Sequence, residues 1–288
     1  MRISPMIAAL LTVPVLAAPA ACAVSERTAP PPAPSPAGTT ASAPASTSLT
    51  TASSPAPAPW TVGARPLPRR PDGFGQVEPT PEVLRTRDLP TRDLLPPPAA
   101  GRYAATIRPV PADVLARSTW QSTCPVPASG LRYLTMSFWG FDGRAHTGEM
   151  LVNASVAEAV TRVFGELFGA RFPIEEMRIT SPAELGAAPT GDGNNTSAFV
   201  CRPARGQTRW SAHAYGLAID LDPFCNPYTK GDLVLPELAS AYLDRSWRRP
   251  GMVLAGDATV RAFAAIGWSW GGAWHEPVDR MHFTATGD

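Results

Sequence analysis

The stretch Ser-Ala-His-Ala-Tyr-Gly-Leu-Ala-Ile-Asp, residues 211–220, combines a histidine and a carboxylate with a β-strand signal. Its apolar end is typical of a strand, along which side chains alternate between two faces, so Asp220 projects from the same face as the small Ala218. Gly216 lets the backbone bend, and that bend would turn His213 back towards this face. The stretch therefore predicts a strand with two candidate metal ligands beside it.

A third candidate ligand lies near the C-terminus. The tryptophan-rich segment Trp-Ser-Trp-Gly-Gly-Ala-Trp, residues 268–274, leads to a final predicted strand, residues 280–284, which contains His282. Two imidazoles and one carboxylate on a zinc ion leave one coordination position open, which is the arrangement of catalytic rather than structural zinc sites. The sequence therefore predicts one zinc ion, bound by His213, Asp220 and His282.

The charge of the chain excludes some partners. Its 288 residues carry a formal net charge of +1, so the composition provides neither a basic footprint for nucleic acid nor an acidic tail. We expect a monomer that binds no nucleic acid.

Residues 1–22 are typical of an export signal. They contain one arginine, an apolar run too short to span a membrane, and small residues before Cys22. Cys22 could accept a lipid, although Pro19 stands where lipoprotein signals prefer a leucine-like residue; the alternative is simple cleavage at residues 18–21. In either case we expect an exported protein at the cell envelope or outside the cell, whose only membrane contact would be a lipid on Cys22.

The rest of the chain divides into two parts. Residues 23–102 are dominated by Pro, Ala, Ser and Thr and have almost no periodic apolar face, which predicts a disordered tether. Residues 103–288 have the composition of a single globular domain.

The predicted strands favour an α+β fold with a small, mainly antiparallel sheet flanked by helices. Residues 131–138 and 149–153 are expected to form a hairpin around a glycine-containing turn. Strands occur in clusters separated by helices, without the β-α-β repeat that a parallel sheet requires.

Three helix boundaries carry capping signals. Ser-Val-Ala-Glu at residues 155–158 is a capping box that would begin a helix ending at Gly169. Ser181, followed by proline, would cap a brief helix. Asp257 would cap a last helix that ends at Gly267.

Three cysteines follow Cys22, and in an oxidising compartment two of them are expected to pair. The pairing of Cys124 with Cys201 is favoured, and the pairing of Cys201 with Cys225 remains an open alternative.

Three motifs, in this order, resemble the zinc D-alanyl-D-alanine carboxypeptidase family: Ser-X-His-X6-Asp at residues 211–220, Trp-Gly-Gly-X-Trp at 270–274 and Asp-X-X-His-Phe at 279–283. Relatives of that family include the VanX and VanY peptidases and the L-alanyl-D-glutamate endopeptidases, and the second and third motifs look closest to the endopeptidase branch. The resemblance runs from about residue 120 to the C-terminus and implies a hedgehog/DD-peptidase-like zinc peptidase domain.

The resemblance implies the three zinc ligands already named and adds two catalytic residues. Asp279 would be the catalytic base, taking a proton from a zinc-bound water whose pKa falls to about 7. Arg202, in the segment Ser-Ala-Phe-Val-Cys-Arg that begins at Ser197, matches the family's substrate-binding arginine. Its guanidinium would bind a substrate carboxylate or the developing oxyanion, and Ser197 is grouped with it in substrate binding.

Aromatic side chains near the motifs would form the walls of a substrate groove, because flat rings suit glycan-peptide stems. We assign Tyr215, Trp270 and Trp274 to this groove, with a place in the core as the alternative. Trp268 is predicted to lie in the core.

Four polar residues receive supporting roles. Ala273 stands where the family often has an acid, and His275 and Glu276 are expected to lie around the metal ligands without binding the metal. His146 is expected in a loop or groove. Asp222 is expected to hydrogen-bond a ligand or to pair with an arginine.

The resemblance thus implies a zinc metallopeptidase that hydrolyses peptide bonds in peptidoglycan stem peptides. The bond could be D-alanyl-D-alanine, as in a carboxypeptidase, or L-alanyl-D-glutamate, as in an endopeptidase. The alternative function is a catalytically inactive cell-wall binding module with the same fold. An anchored interaction protein that works through its proline-rich arm is a third reading.

Overall fold

A computed structural model describes residues 60–204 and 207–287, all of which belong to one compact unit, residues 57–288. The predicted export signal at residues 1–22, with Cys22, and residues 23–59 of the predicted tether lie outside the described residues.

Five α-helices occur in the described residues: α1 (Glu82–Arg85), α2 (Ala112–Arg117), α3 (Ala157–Gly169), α4 (Pro182–Gly186) and α5 (Ala258–Ala265). The caps predicted for the last two are confirmed. Ser181 and Glu184 form the capping box of α4, and the Asp257 carboxylate accepts a hydrogen bond from the backbone of Val260 at 2.8 Å.

The capping box predicted for α3 is wrong. The helix begins at Ala157 with Val156 as its N-cap, without a side-chain cap hydrogen bond. The Ser155 hydroxyl instead donates to the side-chain oxygen of Asn153 at 2.8 Å. This local hydrogen bond competes with capping, because short polar side chains bond to whichever nearby group they reach first. The helix still ends at Gly169, as predicted.

The described strands are β1 (Ala105–Arg108), β2 (Leu131–Trp139), β3 (Ala145–Asn153), β4 (Glu176–Met177), β5 (Asn195–Thr196), β6 (Ala218–Asp220), β7 (Tyr228–Lys230), β8 (Leu233–Leu235), β9 (Ser269–Trp270), β10 (Val278–Asp279) and β11 (His282–Thr284). Their sheets have the orders β1-β2-β3, β10-β7-β8 and β6-β11-β9, all antiparallel, and β4 pairs with β5 in parallel. The α+β prediction is confirmed, and the predicted hairpin is β2-β3. Several small sheets replace the one that was expected.

The main core lies between α3, the β2-β3 hairpin and the sheet that contains β11. The apolar face of α3 packs onto the hairpin, and Phe263 of α5 stacks on Phe283 of β11 with ring centroids 3.9 Å apart. Trp268 is buried in this core, as predicted. The packing fixes β11, and with it His282, against the body of the domain.

A disulfide joins Cys124 to Cys201, which confirms the favoured pairing, and Cys225 is a buried free thiol. The bond ties the segment before Arg202 to a second cluster of buried side chains, which includes Tyr133 and Leu151. The disulfide therefore helps to hold the segment that carries Arg202.

Residues 60–102 correct the predicted domain boundary. Leu84 of α1 is fully buried in a third cluster with Phe224 and Tyr242, and Trp60 packs against the same cluster. Residues 60–102 are therefore part of the folded domain rather than of a tether. Their few large side chains reach partners far along the sequence, so no periodic apolar pattern marks them.

A buried ion pair adds to this attachment. Both Arg87 and Glu175 are buried, the guanidinium donates two hydrogen bonds to the carboxylate at 2.5 and 2.8 Å, and it donates a third to the carbonyl of Asp192. Burial opposes the charge of Arg87, but the contact with Glu175 raises its pKa above the ordinary value. A buried charge that lost this partner would be costly, so the pair ties residues 60–102 firmly to the domain.

Within the described part of the chain, none of the helices has both the length and the apolar character needed to cross a membrane.

Candidate metal centre

Two antiparallel strands place the first pair of predicted ligands. In the β6-β11 pairing, Asp220 stands directly opposite His282, and Phe283 stands opposite Ile219. Directly opposed residues project from the same face, so the carboxylate and the imidazole lie side by side. Ile219 and Phe283 are buried on the other face and hold both strands in the core.

A short 3₁₀ helix, residues 212–215, places the third ligand. The Ser211 hydroxyl accepts a hydrogen bond from the backbone of Ala214 at 3.3 Å at its start, and Gly216 ends it with a φ of +66°. A Cβ at Gly216 would lie 2.6 Å from the backbone nitrogen of Asn153. Glycine is therefore required here both for the left-handed backbone and for the close approach to β3. The turn directs His213 towards β6, as its sequence predicts.

The three side chains converge on a common point. Nε2 of His213 lies 3.2 Å from Nδ1 of His282 and 3.3 Å from Oδ1 of Asp220, and the last two atoms are 3.0 Å apart. Both histidines are buried and Asp220 is half-buried. These residues form the one group of three or more potential metal ligands found in the described residues.

A hydrogen bond to the backbone sets the tautomer of His213. Its Nδ1 lies 2.7 Å from the carbonyl oxygen of Ala198, to which only a protonated Nδ1 can donate. In the neutral ring Nε2 is then unprotonated and directs its lone pair at the cluster. This is the usual arrangement for a histidine that binds a metal, because the second hydrogen bond fixes the orientation of the ring.

The electrostatics of the cluster favour a charged carboxylate. Burial alone would raise the pKa of Asp220, but the contacts with His213 and His282 outweigh burial and hold the pKa well below its ordinary value. Asp220 is thus an anion beside two imidazoles.

The spacing and chemistry of these donors fit a zinc ion. Ligand atoms about 2.1 Å from a tetrahedral zinc are separated from one another by roughly 3.4 Å. The three donor atoms are separated by 3.0–3.3 Å, and two nitrogens with one carboxylate oxygen are ligands that zinc accepts. The cluster could therefore hold one zinc ion with little rearrangement.

The cluster opens into a cavity of about 680 Å³. Of the predicted site residues, the lining includes His213, Asp220, His282, Asp279, Arg202 and Trp274. A cavity of this volume is of the size that binds small ligands and short peptides.

Asp279 reaches the cavity from β10, which pairs with β7 and not with the ligand strands. The tryptophan-rich turn approaches it closely: a Cβ at Gly271 would lie 2.6 Å from the backbone oxygen and 3.0 Å from the Cβ of Asp279. The second glycine-dependent contact of the site thus sets the position of Asp279.

Arg202 lies at the cavity beside the 3₁₀ helix that carries His213. Its carbonyl oxygen accepts hydrogen bonds from the backbone of Ser211 at 3.3 Å and from the Ser211 hydroxyl at 3.1 Å. Ser211 therefore links the backbone of the predicted substrate-binding arginine to the helix that carries a predicted metal ligand.

The predicted aromatic groove is only partly present in this cavity. Trp274 lines it, with its ring centroid 5.6 Å from that of His282. Trp270 instead stacks on Phe283 and donates its indole N–H to the carbonyl of Arg280 at 2.8 Å. Tyr215 lies on the surface, where its carbonyl accepts a hydrogen bond from Asn153.

Ser197 also contributes through its backbone. Its N–H donates to the carbonyl of Asp220 at 3.1 Å and its carbonyl accepts from the N–H of Asp220 at 2.9 Å. Ser197 therefore braces the metal-ligand strand. The substrate contacts assigned to Ser197, Tyr215 and Trp270 stay predictions.

His275 and Glu276 are both exposed beside the cavity. Glu276 lines the cavity and accepts a hydrogen bond from the backbone of Gly231 at 3.1 Å. The metal-ligand group is made without either residue, and their predicted place around the metal ligands stays a prediction.

His146 and Asp222 lie elsewhere. The loop or groove position predicted for His146 is wrong: it is buried on β3, with Nδ1 2.7 Å from Asp93 and Nε2 3.1 Å from Asp142. Asp222 is fully buried and accepts a hydrogen bond from the backbone of Glu175 at 3.2 Å, and burial raises the pKa of its carboxyl well above the ordinary value. Both residues therefore serve the packing of the domain.

One wall of the cavity was not predicted from the sequence. Arg70, Asp72 and Phe74 line it, although they fall in the predicted tether. A signal for this wall was present, since Arg-Pro-Asp-Gly-Phe at residues 70–74 has the composition of a tight turn. The surrounding proline-rich composition obscured it.

Comparison with known proteins adds one finding. Residues 205–285 match the family described as D-alanyl-D-alanine carboxypeptidase. No curated protein and no solved structure matches the chain. The matched part contains all three clustered ligands and Asp279, and it supports a peptidase of that zinc family in general. Residues 60–102 and Arg202 lie outside it.

Proposed function

We propose that this protein is a zinc-dependent metallopeptidase that hydrolyses peptide bonds in peptidoglycan stem peptides. The observation that carries the proposal is the convergence of His213, Asp220 and His282 within 3.0–3.3 Å of one another at the edge of a cavity. The match of residues 205–285 to a peptidase family supports the reaction class.

The three residues would hold one zinc ion, through Nε2 of His213, Nδ1 of His282 and Oδ1 of Asp220. When bound, zinc supplies an activated water and polarises the peptide carbonyl. Asp279 would accept a proton from the attacking water and return it to the leaving amine. Arg202 would offer its guanidinium to the developing oxyanion or to a substrate carboxylate, and Trp274 would contact the peptide.

The same proposal includes the setting in which the enzyme works. Residues 1–22 would direct export, and the protein would act as a monomer at the cell envelope or outside the cell. A lipid on Cys22 would be its only attachment to a membrane. Stem peptides would be its partners, and nucleic acid would not.

Two reactions are compatible with the site. The description of the matched family favours removal of a terminal D-alanine. The Trp-Gly-Gly-X-Trp motif and the position of Asp279, three residues before His282, resemble the L-alanyl-D-glutamate endopeptidases instead. Binding energy from Arg202 would serve either reaction.

Mass spectrometry of purified muropeptides after digestion tests the proposal. We expect zinc-dependent loss of D-alanine or release of the stem, abolished by a strong chelator and restored by added zinc. Cleavage that persists in the chelator would reject a zinc mechanism. Binding of muropeptides without any cleavage would point instead to an inactive cell-wall binding module.

A further inference from the structure

Residues 69–75, here named the N-terminal turn, form a tight antiparallel turn at the cavity. Arg69 and Gly75 pair as a β-bridge, and the backbone of Arg70 donates to the carbonyl of Phe74 at 2.7 Å. Gly73, with a φ of +88°, takes the left-handed position of the turn, and Asp72 accepts a hydrogen bond from the backbone of Phe74 at 3.2 Å. The turn is thus internally braced.

The N-terminal turn is fastened to the domain on both of its sides. Before it, the backbone of Leu67 donates to the carbonyl of Pro189 at 2.7 Å. At its end, the backbone of Gly75 donates to the buried carboxylate of Glu237 at 2.7 Å, and a Cβ at Gly75 would lie 2.9 Å from that carboxylate. After it, the Thr80 hydroxyl donates to the carbonyl of Leu238 at 2.6 Å. These anchors place the turn in a fixed position beside the cavity.

The N-terminal turn meets the opposite wall through Arg70. Its guanidinium donates two hydrogen bonds, each 3.1 Å long, to Asp232 in the turn between β7 and β8, and its Nε donates to Asp72 at 3.1 Å. An exposed ion pair adds little to stability. Two parallel hydrogen bonds nevertheless fix the orientation of the guanidinium. The two walls therefore meet at this end of the cavity.

The N-terminal turn contributes three side chains to the lining of the same cavity that holds the metal-ligand cluster: Arg70, Asp72 and Phe74. The cluster is built on β6, β11 and the 3₁₀ helix of residues 212–215, whereas Arg70 is directed to the β7-β8 end. A peptide with its scissile bond at the cluster that continued along the cavity would reach the turn.

We propose that the N-terminal turn is a specificity-determining wall. In this proposal Phe74, which is half-buried and lines the cavity, and Arg70 contact the part of a stem peptide that lies beyond the two residues flanking the scissile bond. The inference rests on the proposed function. It also assigns a role to a segment outside the family match at residues 205–285, so the wall is an addition to the matched catalytic part.

The test compares short and long substrates on the full chain loaded with zinc. The probes are the dipeptides D-alanyl-D-alanine and L-alanyl-D-glutamate and the pentapeptide stem that contains both bonds. In Phe74→Ala, we expect the ratio of the KM for the pentapeptide to the KM for the cleaved dipeptide to rise at least about tenfold, because an apolar contact is lost only with the longer substrate. Arg70→Gln should raise the same ratio, and Phe74→Tyr should keep it near the wild-type value.

Val83→Ala is the matched control, since Val83 lies in the same part of the chain, on α1, and is 51% exposed. It should show the wild-type ratio. If Phe74→Ala and Arg70→Gln also show the wild-type ratio, with unchanged circular dichroism, the wall has no part in specificity and the inference is overturned.

A binding measurement separates this inference from the proposed function. Isothermal titration calorimetry of the pentapeptide with the metal-free chain should show about tenfold weaker binding in Phe74→Ala. If the wild-type chain binds the pentapeptide in this Phe74-dependent way but never cleaves it, the wall stands and the peptidase proposal fails. If the chain cleaves both substrates and binds the pentapeptide equally well with and without Phe74, the wall fails and the peptidase proposal stands.

Discussion

The backbone carbonyl of Ala198 determines the orientation of the His213 ring. By accepting the Nδ1 proton at 2.7 Å, Ala198 leaves Nε2 directed at Asp220 and His282. Most of this could be predicted from the sequence, because His213, Gly216 and Asp220 are close along the chain and obey local rules of turn and strand. The hydrogen-bond acceptor, Ala198, could not be predicted, since no sequence motif indicates which carbonyl lies behind the ring.

Asp279 gives a prediction about catalysis. Asp279→Ala should keep the zinc ion and lose turnover by at least about 100-fold, because a general base contributes that much or more to the rate. Zinc content and the kcat for muropeptide cleavage are measured on the same preparation. Near-normal turnover would remove Asp279 from the role of base, and loss of zinc would make it a structural partner of the cluster.

Glu149 gives a prediction about stability. This buried carboxylate accepts two hydrogen bonds of 2.5 Å from Arg117 and one of 2.7 Å from Tyr133. Burial would raise its pKa, but the hydrogen bonds from Arg117 and Tyr133 outweigh burial and lower it. A lowered folded-state pKa stabilises the fold above the ordinary carboxyl value of about 4.3, and this contribution is lost as the pH falls through the lower value.

Glu149→Gln should therefore reduce the free energy of unfolding by about 2 kcal/mol at pH 7, the scale of hydrogen bonds to a charged group. The difference between the variant and the wild type should shrink as the pH falls below about 4. Urea unfolding of both proteins at several pH values measures this difference in the free energy of unfolding. A difference that stays constant down to pH 3 would show that the charge of Glu149 has no part in stability.

At the scale of elements, the tryptophan-rich turn and β10 approach so closely that only glycine fits between them. Gly271→Ala should move Asp279, because the added Cβ would lie 2.6 Å from its backbone oxygen. We expect kcat to fall about 100-fold, the scale of a misplacement of about 1 Å, while zinc stays bound.

Gly193→Ala is the control for this prediction, since a Cβ there meets no atom within 4 Å and its φ is not in the left-handed region. Its kcat should match the wild type. Equal activity of the two alanine variants would contradict a positioning role for Gly271.

The elements that the sequence predicts well are those with short-range signals. The β2-β3 hairpin, the Asp257 cap and the Ser181 capping box depend on residues a few positions apart. The start of α3 was missed because Asn153 takes the hydrogen bond of Ser155. The sheets were harder still, because β6 pairs with β11 across more than 60 positions and nothing local specifies that register.

At the scale of the whole molecule, residues 60–102 are the part of the fold that the amino-acid composition predicted least well. The indole of Trp60 donates a hydrogen bond to Asp192, 132 positions away. The backbone of Gly75 donates one to Glu237, 162 positions away. The guanidinium of Arg87 donates one to Glu175, 88 positions away. Each contact joins one residue to a distant one, so a scan for periodicity finds nothing. A proline-rich segment can thus belong to a domain through a few strong anchors.

The contacts of residues 60–102 with the rest of the domain predict different outcomes for two truncations. A chain that begins at residue 60 should fold, whereas one that begins at residue 103 should not, because it exposes the cluster around Phe224 and leaves Glu175 buried without Arg87. In the full chain, Arg87→Ala should cost about 3–5 kcal/mol, as for a buried ion pair that loses one partner. Thermal unfolding is measured for the two truncated chains and for Arg87→Ala. A cooperative unfolding transition at the wild-type Tm for the chain that begins at residue 103 would contradict this account and support the predicted tether.

The most direct test of the central claim is the zinc content of the purified chain, measured by inductively coupled plasma mass spectrometry. The wild type should bind one zinc ion per chain, His213→Ala and Asp220→Ala should bind close to none, and His275→Ala, which removes the exposed neighbouring histidine, should keep one. A wild-type chain without zinc affinity, or full zinc binding by both ligand variants, would contradict the metal centre and the peptidase built on it.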